Sequence, residues 1–173
     1  EVGFPVPLDH TPVSDPALVD LDDDGDLEIV FGDSGGNIQV YRCDGEPLQG
    51  WPVNVGTDLS EAPIAVGDLN GDGQLTVLAG TAHGAVHGFN ADGSPAMGWP
   101  YESGLDSPAA VNIGQLWPPY PRHAVVTVGT KMVMLNYRGD QAVGTQEWFN
   151  ATGFGSGVAI GDVDGDGTNE IVF

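Results

Sequence analysis

The chain has 173 residues, with 25 acidic and four basic side chains and a formal net charge of −21. This composition excludes nucleic acids as partners, because no cluster of Lys or Arg is present to neutralise a phosphate backbone, and it disfavours anionic membranes. No apolar stretch approaches the length of a membrane span, so membrane insertion is not expected.

The first repeat of the sequence predicts four short strands separated by turns. Its apolar segments are "ALVDL", "LEIVF", "NIQVY" and "WPVNV", with Gly, Asp and Pro between them. Short runs rich in Val and Ile are typical of β-strands, and no window has a sustained helical period. The second segment is almost continuously apolar, which indicates a strand covered on both faces, whereas "NIQVY" alternates. Proline in the last segment indicates an outermost strand with a free edge.

An acidic loop, "DLDDDGDLE" at residues 20–28, separates the first two of these strands. Carboxylates this close repel one another and raise one another's pKa unless a cation lies among them. The loop combines three alternating aspartates, a glycine that permits a sharp turn and a closing glutamate: Asp20, Asp22, Asp24, Gly25 and Glu28. This all-oxygen set suits calcium rather than zinc or copper.

The acidic loop returns as "DLNGDGQLT" at residues 68–76 and as "DVDGDGTNE" at residues 162–170. Two other markers share its period of about 47 residues. One is an aromatic position: Phe4, Trp51, Trp99 and Trp148. The other is a turn pair: Asp44-Gly45, Asp92-Gly93 and Arg138-Gly139. Three markers with one period identify a repeat protein.

A four-stranded unit of this length is typical of one blade of a β-propeller. The predicted fold is therefore an all-β propeller of four-stranded blades, with three full blades and a partial fourth. In this interpretation residues 1–173 form one propeller domain or a fragment of one, with repeats at about 3–49, 50–97, 98–146 and 147–173. A four-bladed ring with one thin blade, a cut piece of a longer propeller and a self-complementing oligomer remain open, and the second is favoured.

An EF-hand starts with the same six positions as the acidic loop, but its twelfth residue must chelate the ion. That position holds Phe31 in the first loop, and Ala79 and Phe173 in the two later copies. None of these side chains can bind a metal, and the flanking segments are strand-like. The EF-hand and dockerin-like alternatives are therefore disfavoured.

The third repeat keeps only Gly114 to Leu116 of the acidic motif, and a proline-rich "PPYP" replaces its ligands. Trp117 and Tyr120 lie in this insertion and belong to no repeat marker. They are candidates for a specific surface contact, or for a hydrophobic loop that caps the missing ion site.

These motifs resemble the FG-GAP repeats of integrin-type propellers, and the "DG…GWP" ending is similar to repeats of many secreted bacterial proteins. The resemblance implies calcium in the loop between the first two strands of a blade, bound by side chains at positions 1, 3, 5 and 9 and by the carbonyl at position 7. On this chain it implies three ligand sets: Asp20, Asp22, Asp24, Asp26 and Glu28; Asp68, Asn70, Asp72 and Gln74; Asp162, Asp164, Asp166, Thr168 and Glu170. Thr76 stands where the middle loop needs a carboxylate. Two strong sites and one weaker site at 68–76 are expected, since ligand charge tunes calcium affinity.

Other chemistry-bearing residues are few. His83 and His87 lie on a predicted turn and strand, which disfavours a metal pair, and the single cysteine, Cys43, is expected as a buried or half-buried strand residue. No nucleophile motif or phosphate loop is found, so neither a catalytic residue nor an organic cofactor is predicted. Three of the aromatic markers could stack on a sugar, although packing between blades is favoured: Trp51, Trp99 and Trp148.

The expected function is that of a calcium-binding extracellular β-propeller acting as a protein-binding or cell-surface adhesion module. A carbohydrate-binding lectin is the alternative, and a calcium-dependent carbohydrate-active enzyme of the polysaccharide lyase type is the third. The expected partner is a protein or a glycan. Millimolar calcium outside cells fills weak sites, so a secreted or cell-surface location is expected, although this chain carries no signal segment.

Overall fold

The computed structural model of the chain describes residues 3–116, 121–142 and 158–172, and the strand at 148–149. Within these residues there are fourteen strands and no helix, and the strands form four antiparallel sheets. Among the described residues no helix is both long and apolar enough to cross a membrane.

Each sheet follows the chain, so that neighbours in sequence are neighbours in space. The first sheet contains β1 (Ala17–Val19), β2 (Glu28–Gly32), β3 (Asn37–Tyr41) and β4 (Val53–Asn54). The second contains β5 (Ala65–Gly67), β6 (Thr76–Gly80), β7 (Ala85–Asn90) and β8 (Tyr101–Glu102). The third contains β9 (Ala109–Gly114), β10 (His123–Val128), β11 (Lys131–Leu135) and β12 (Trp148–Phe149). The fourth contains β13 (Ala159–Gly161) and β14 (Glu170–Val172).

The predicted fold class is confirmed, because three four-stranded sheets are followed by a two-stranded one. The burial of individual strands also agrees with the sequence pattern. Strands β6 and β10 are buried at every position after the first, whereas β3 alternates between buried and half-buried residues. The strands at or just after the aromatic markers, β4, β8 and β12, lie at the edge of their sheets.

The four sheets share one register between their first two strands. Four equivalent pairs lie opposite each other: Leu18 and Ile29, Val66 and Val77, Ile113 and Ala124, and Ile160 and Ile171. The loop between these strands therefore leaves every sheet at the same place. A cavity of about 910 Å³ is lined by residues at or near the first strand of all four sheets: Asp15, Glu61, Asn112 and Ala159.

The core of the protein lies between neighbouring sheets, and the tryptophan markers are part of it. Trp51 packs edge-on against Phe89 of the second sheet, with 6.1 Å between ring centroids, and its Nε1 donates a hydrogen bond to the Ala91 carbonyl at 2.9 Å. The Trp99 Nε1 donates to the Tyr137 carbonyl in the same way, at 3.1 Å. Packing between blades is confirmed for both residues. The side chain of Trp148 lies outside the described residues.

The glycines before Trp51 and Trp99 lie against the turn pair of the next sheet. Gly50 has a φ of 94°, and a Cβ built on it would lie 2.0 Å from the Asp92 carbonyl oxygen. Gly98 meets the Arg138 carbonyl at the same 2.0 Å. Only glycine fits a left-handed backbone at such close approach. We refer to each glycine–turn contact, together with its tryptophan hydrogen bond, as a junction clasp.

The prediction for Cys43 is wrong, because this residue is exposed. Strand β3 ends at Tyr41, and the chain then turns, with the Gly45 nitrogen donating to the Arg42 carbonyl at 3.0 Å. Cys43 therefore lies in the turn rather than in the strand.

Candidate metal centres

The three acidic loops join the first two strands of the first, second and fourth sheets, as expected. In each loop the first aspartate holds the backbone. Asp20 accepts hydrogen bonds from the backbone nitrogens of Asp24 and Gly25, both at 3.1 Å. Asp68 and Asp162 make the corresponding contacts with backbone nitrogens of their own loops. The first position is thus a structural acceptor as well as a predicted ligand.

The last residue of the first loop is a buried carboxylate with one unsatisfied oxygen. Glu28 starts β2 and is 0% exposed. Its Oε2 accepts a hydrogen bond from the Leu21 nitrogen at 2.8 Å, whereas its Oε1 has no partner. Burial raises the pKa of Glu28, and the charges of Asp22 and Asp24 raise that pKa further. A buried oxygen without a partner costs about 1–3 kcal/mol, which a bound cation would offset.

The same hydrogen bond recurs in the third loop, where the half-buried Glu170 accepts through its Oε2 from the Val163 nitrogen at 2.8 Å. In the first and third loops, one carboxylate oxygen from each of three residues lies within 4.8 Å of the others. These sets are Asp20, Asp22 and Glu28, and Asp162, Asp164 and Glu170. They are the groups of three or more Asp, Glu, His or Cys side chains found close enough to share an ion in the part of the chain that the structure describes. Their all-oxygen chemistry fits calcium, whose ligands lie about 2.3–2.6 Å from the ion.

The fourth predicted carboxylate of each loop lies outside these groups. Asp24 Oδ1 accepts a hydrogen bond from the Asp26 nitrogen at 2.9 Å, and Asp166 Oδ1 accepts from the Thr168 nitrogen at 2.8 Å. Hydrogen bonds from the side chain and backbone of Thr168 hold the pKa of Asp166 below its usual value. The structure therefore brings together three of the four predicted side chains in each strong loop. Carbonyl ligation by Asp26 and Thr168 stays a prediction.

The middle loop keeps its shape without a group of three carboxylates. Asn70 Nδ2 donates to Asp72 Oδ2, and Asp72 Oδ1 accepts from the Gln74 nitrogen, both at 2.8 Å. Burial opposes the ionisation of Asp68, but backbone hydrogen bonds hold its pKa below the usual value. Thr76 begins β6 at the place that Glu28 takes in the first sheet. The expected weaker site at 68–76 stays a prediction.

A cationic side chain that sequence reasoning missed lies at the rim of the first loop. Arg42 Nη2 lies 2.5 Å from Asp22 Oδ2, and its Nη1 lies 3.4 Å from Asp24 Oδ2. The sequence feature that could have identified it is the scarcity of basic residues, since Arg42 is one of only four. A groove of about 1020 Å³ between the first and second acidic loops includes Arg42 and the acidic residues Asp22 and Asp23 in its wall.

The other candidate residues do not form a site. His83 Nδ1 lies 2.8 Å from Asp106 Oδ1, whereas the half-buried His87 ring stacks on Phe89. Burial lowers the pKa of His87. The indoles of Trp51 and Trp99 are buried, so they offer no face to a sugar. Trp117 and Tyr120, the candidates in the proline-rich insertion, lie outside the described residues.

Comparison with known proteins confirms the repeat type. Residues 20–79, which contain the first two acidic loops, match the FG-GAP-like repeat family. Comparison with curated proteins gives no match.

Solved structures show the same fold at low sequence identity. The chain is similar to BBS1N, crystallised in complex with ARL6DN, with a TM-score of 0.62 and 12% identity over 92% of this chain and 49% of that one. It is similar to a Bacteroides caccae protein of unknown function (TM-score 0.53, 15% identity, 86% of this chain and 50% of that one). It is also similar to the computationally designed Ika4 protein (TM-score 0.53, 16% identity, 96% and 93%). The chain thus spans about half the length of the first two.

Proposed function

From a chain that carries FG-GAP-like repeats on a β-propeller-like fold, we propose a calcium-stabilised binding module for a protein or cell-surface partner. The observation that carries the calcium part is the buried, unpartnered Oε1 of Glu28 within a group of three carboxylates. Glu170 repeats the same hydrogen bond in the third loop. Two loops built alike are better explained by a shared ligand than by chance surface acidity.

The loop residues support a stabilising role for the ion. Glu28 begins β2, and Asp20 directly follows β1, so an ion bound by both joins two adjacent strands. Six acidic residues lie within nine positions of this loop, and their mutual repulsion opposes its closure. A divalent cation bound among these carboxylates attracts each of them and so offsets their mutual repulsion.

The protein-binding part of the proposal rests on the fold. FG-GAP repeat propellers are generally non-catalytic, and the similar BBS1N structure was determined in complex with ARL6DN. We therefore favour a protein partner over a glycan, since the two described tryptophans are buried. We place the protein outside the cell, where millimolar calcium saturates sites of modest affinity.

Calorimetric titration with calcium tests the proposal. We expect the wild-type chain to bind at least two ions and Glu28→Gln to lose one, because glutamine keeps an acceptor for the Leu21 nitrogen but removes the charge. The matched control is Asp23→Asn, which removes one charge at a non-ligand position of the same loop. Asparagine also tolerates the left-handed backbone there, where φ is 61°. Equal stoichiometry for Glu28→Gln and wild type, or no calcium bound by wild type, would contradict the proposal.

A further inference from the structure

The guanidinium of Arg42 lies at the rim of the first acidic loop. Residue 42 directly follows β3, and the hairpin after it brings the side chain to the rim of the loop between β1 and β2. There it bonds Asp22, which belongs to the group of three carboxylates, and Asp24, which belongs to the same loop. One positive charge thus already engages two of the predicted calcium ligands.

The register of the sheets identifies the equivalent residues in the other blades. Tyr41, Phe89 and Leu135 lie opposite equivalent residues of the second strand, so the residues that follow them correspond. These are Arg42, Asn90 and Asn136, and each closes the same turn by accepting a hydrogen bond from a glycine nitrogen three residues on. The second and third sheets therefore carry a neutral asparagine at this position.

We propose that Arg42 is an internal counter-ion of the first loop: it stabilises that loop without metal and weakens its affinity for calcium. This inference rests on the proposed calcium binding. It refines the expectation of a strong site in the first loop, since ligand count alone does not set the affinity of that loop.

Simple electrostatics gives the size of the effect. A single positive charge and a doubly charged ion about 6 Å apart in water repel each other by about 1.4 kcal/mol, which is tenfold in binding, so removing Arg42 should tighten calcium binding by about tenfold. The increase should shrink at high salt, because the Arg42 side chain is 40% exposed and the interaction is screened.

The test replaces Arg42 with asparagine, the residue found at the equivalent position of the second and third sheets. Arg42→Asn is made in a chain whose third loop is silenced by Asp162→Asn and Asp164→Asn, and calcium affinity is measured by calorimetry. We expect binding at the first loop about tenfold tighter than in the silenced parent. In the converse background, with Asp20→Asn and Asp22→Asn, Arg42→Asn should leave the third loop unchanged. The matched control is Arg138→Asn, which removes an exposed positive charge from the corresponding hairpin of the third blade.

Melting curves provide a second readout, because the effect of Arg42→Asn on the melting temperature should differ between chelator and saturating calcium. In chelator, Arg42→Asn should melt at a lower temperature than wild type, because the repulsion between Asp22 and Asp24 is no longer offset. In saturating calcium the difference should vanish or reverse. Calcium affinity at the first loop that is unchanged or weaker in Arg42→Asn, while the third loop still binds, would overturn the inference alone. Calcium binding by neither loop would overturn both the inference and the proposed function.

Discussion

At the scale of single residues, two buried carboxylates of the first sheet have opposite environments. Asp33, 1% exposed, accepts hydrogen bonds from Gln39 Nε2 at 2.7 Å, from Asn37 Nδ2 at 3.0 Å and from the Gly35 nitrogen at 2.9 Å. Burial opposes its ionisation, but these donors hold its pKa below the usual value. Glu28 has a backbone donor for one oxygen and none for the other. Asp33 is therefore fully hydrogen-bonded within the protein, whereas one oxygen of Glu28 has no protein partner and is free for the proposed cation.

Replacing Asp33 should destabilise the fold without affecting calcium binding. In Asp33→Asn the new amide group faces donors, so at least one hydrogen bond is lost, and we expect a loss of about 1–3 kcal/mol in the free energy of unfolding. Because the folded pKa of Asp33 is lowered, its ionised form stabilises the protein above about pH 3.8, and that contribution disappears as the pH falls through the folded pKa. Urea unfolding at pH 7 and pH 3 measures both effects. A difference between variant and wild type that is equal at the two pH values would contradict this role.

His87 should make the protein sensitive to mild acid. Burial lowers its folded pKa below 6.5, so the unfolded chain binds its proton more readily. Stability is then complete above about pH 6.5 and decreases as the pH falls toward the folded pKa. His87→Gln, which places at this site the residue found at the equivalent position 39, should reduce the fall in melting temperature between pH 7.5 and 5.5. His83→Gln is the control, since its ring is exposed. An unchanged pH profile in His87→Gln would contradict the prediction.

At the scale of elements, the junction clasp explains why two of the sequence markers share a period. The glycine-aromatic marker and the turn pair are separate patterns in the sequence. In the structure, however, Gly50 lies against Asp92, and Gly98 lies against Arg138. The two markers share one period because each contacts the other at the junction between neighbouring sheets. Sequence periodicity could reveal the repeat, but it could not reveal that contact, because the two segments lie about 40 residues apart in the chain.

A substitution beneath the tryptophan should test the packing at such a junction. Gly88 lies in β7, and a Cβ placed on it would lie 2.6 Å from Trp99 Cγ. We expect Gly88→Ala to cost about 1–3 kcal/mol in the free energy of unfolding, as overpacking typically does. Gly161→Ala in β13 is the control, since a Cβ there meets nothing within 4 Å and its effect should be close to neutral. Equal stability of the two variants in chemical denaturation would contradict the packing described here.

At the scale of the whole molecule, calcium should act as a folding ligand. Binding to the folded state alone raises stability with the logarithm of free calcium, so millimolar calcium should raise the melting temperature by several degrees over chelator in low salt. The double variant Glu28→Gln/Glu170→Gln should lose this response while keeping its far-ultraviolet circular dichroism spectrum. Magnesium should substitute poorly, because it requires a smaller, octahedral site. Identical melting of wild type with and without calcium would remove the folding role.

The sequence was sufficient for the strands, their order, the number of strands in each full sheet and the position of the loops, because period and turn chemistry are local signals that repeat. It was insufficient where the outcome depends on contacts between distant segments. The approach of Arg42 to Asp22 crosses 20 residues and one hairpin. Cys43 lies in the turn, two residues beyond the end of β3, where it is exposed. Ring closure also stays a prediction, since Leu18, on the first sheet, is 65% exposed in the described structure.

The junction clasp also constrains how such a chain can change length. Each clasp joins a glycine in one repeat to a turn in the following repeat, and the partners are the same in kind at both described junctions between full sheets. Gaining or losing one whole repeat leaves every remaining clasp with a valid partner. Gaining or losing half of one leaves a glycine without its turn and an indole without its carbonyl. We therefore expect this protein to tolerate the gain or loss of a whole repeat better than the gain or loss of part of one.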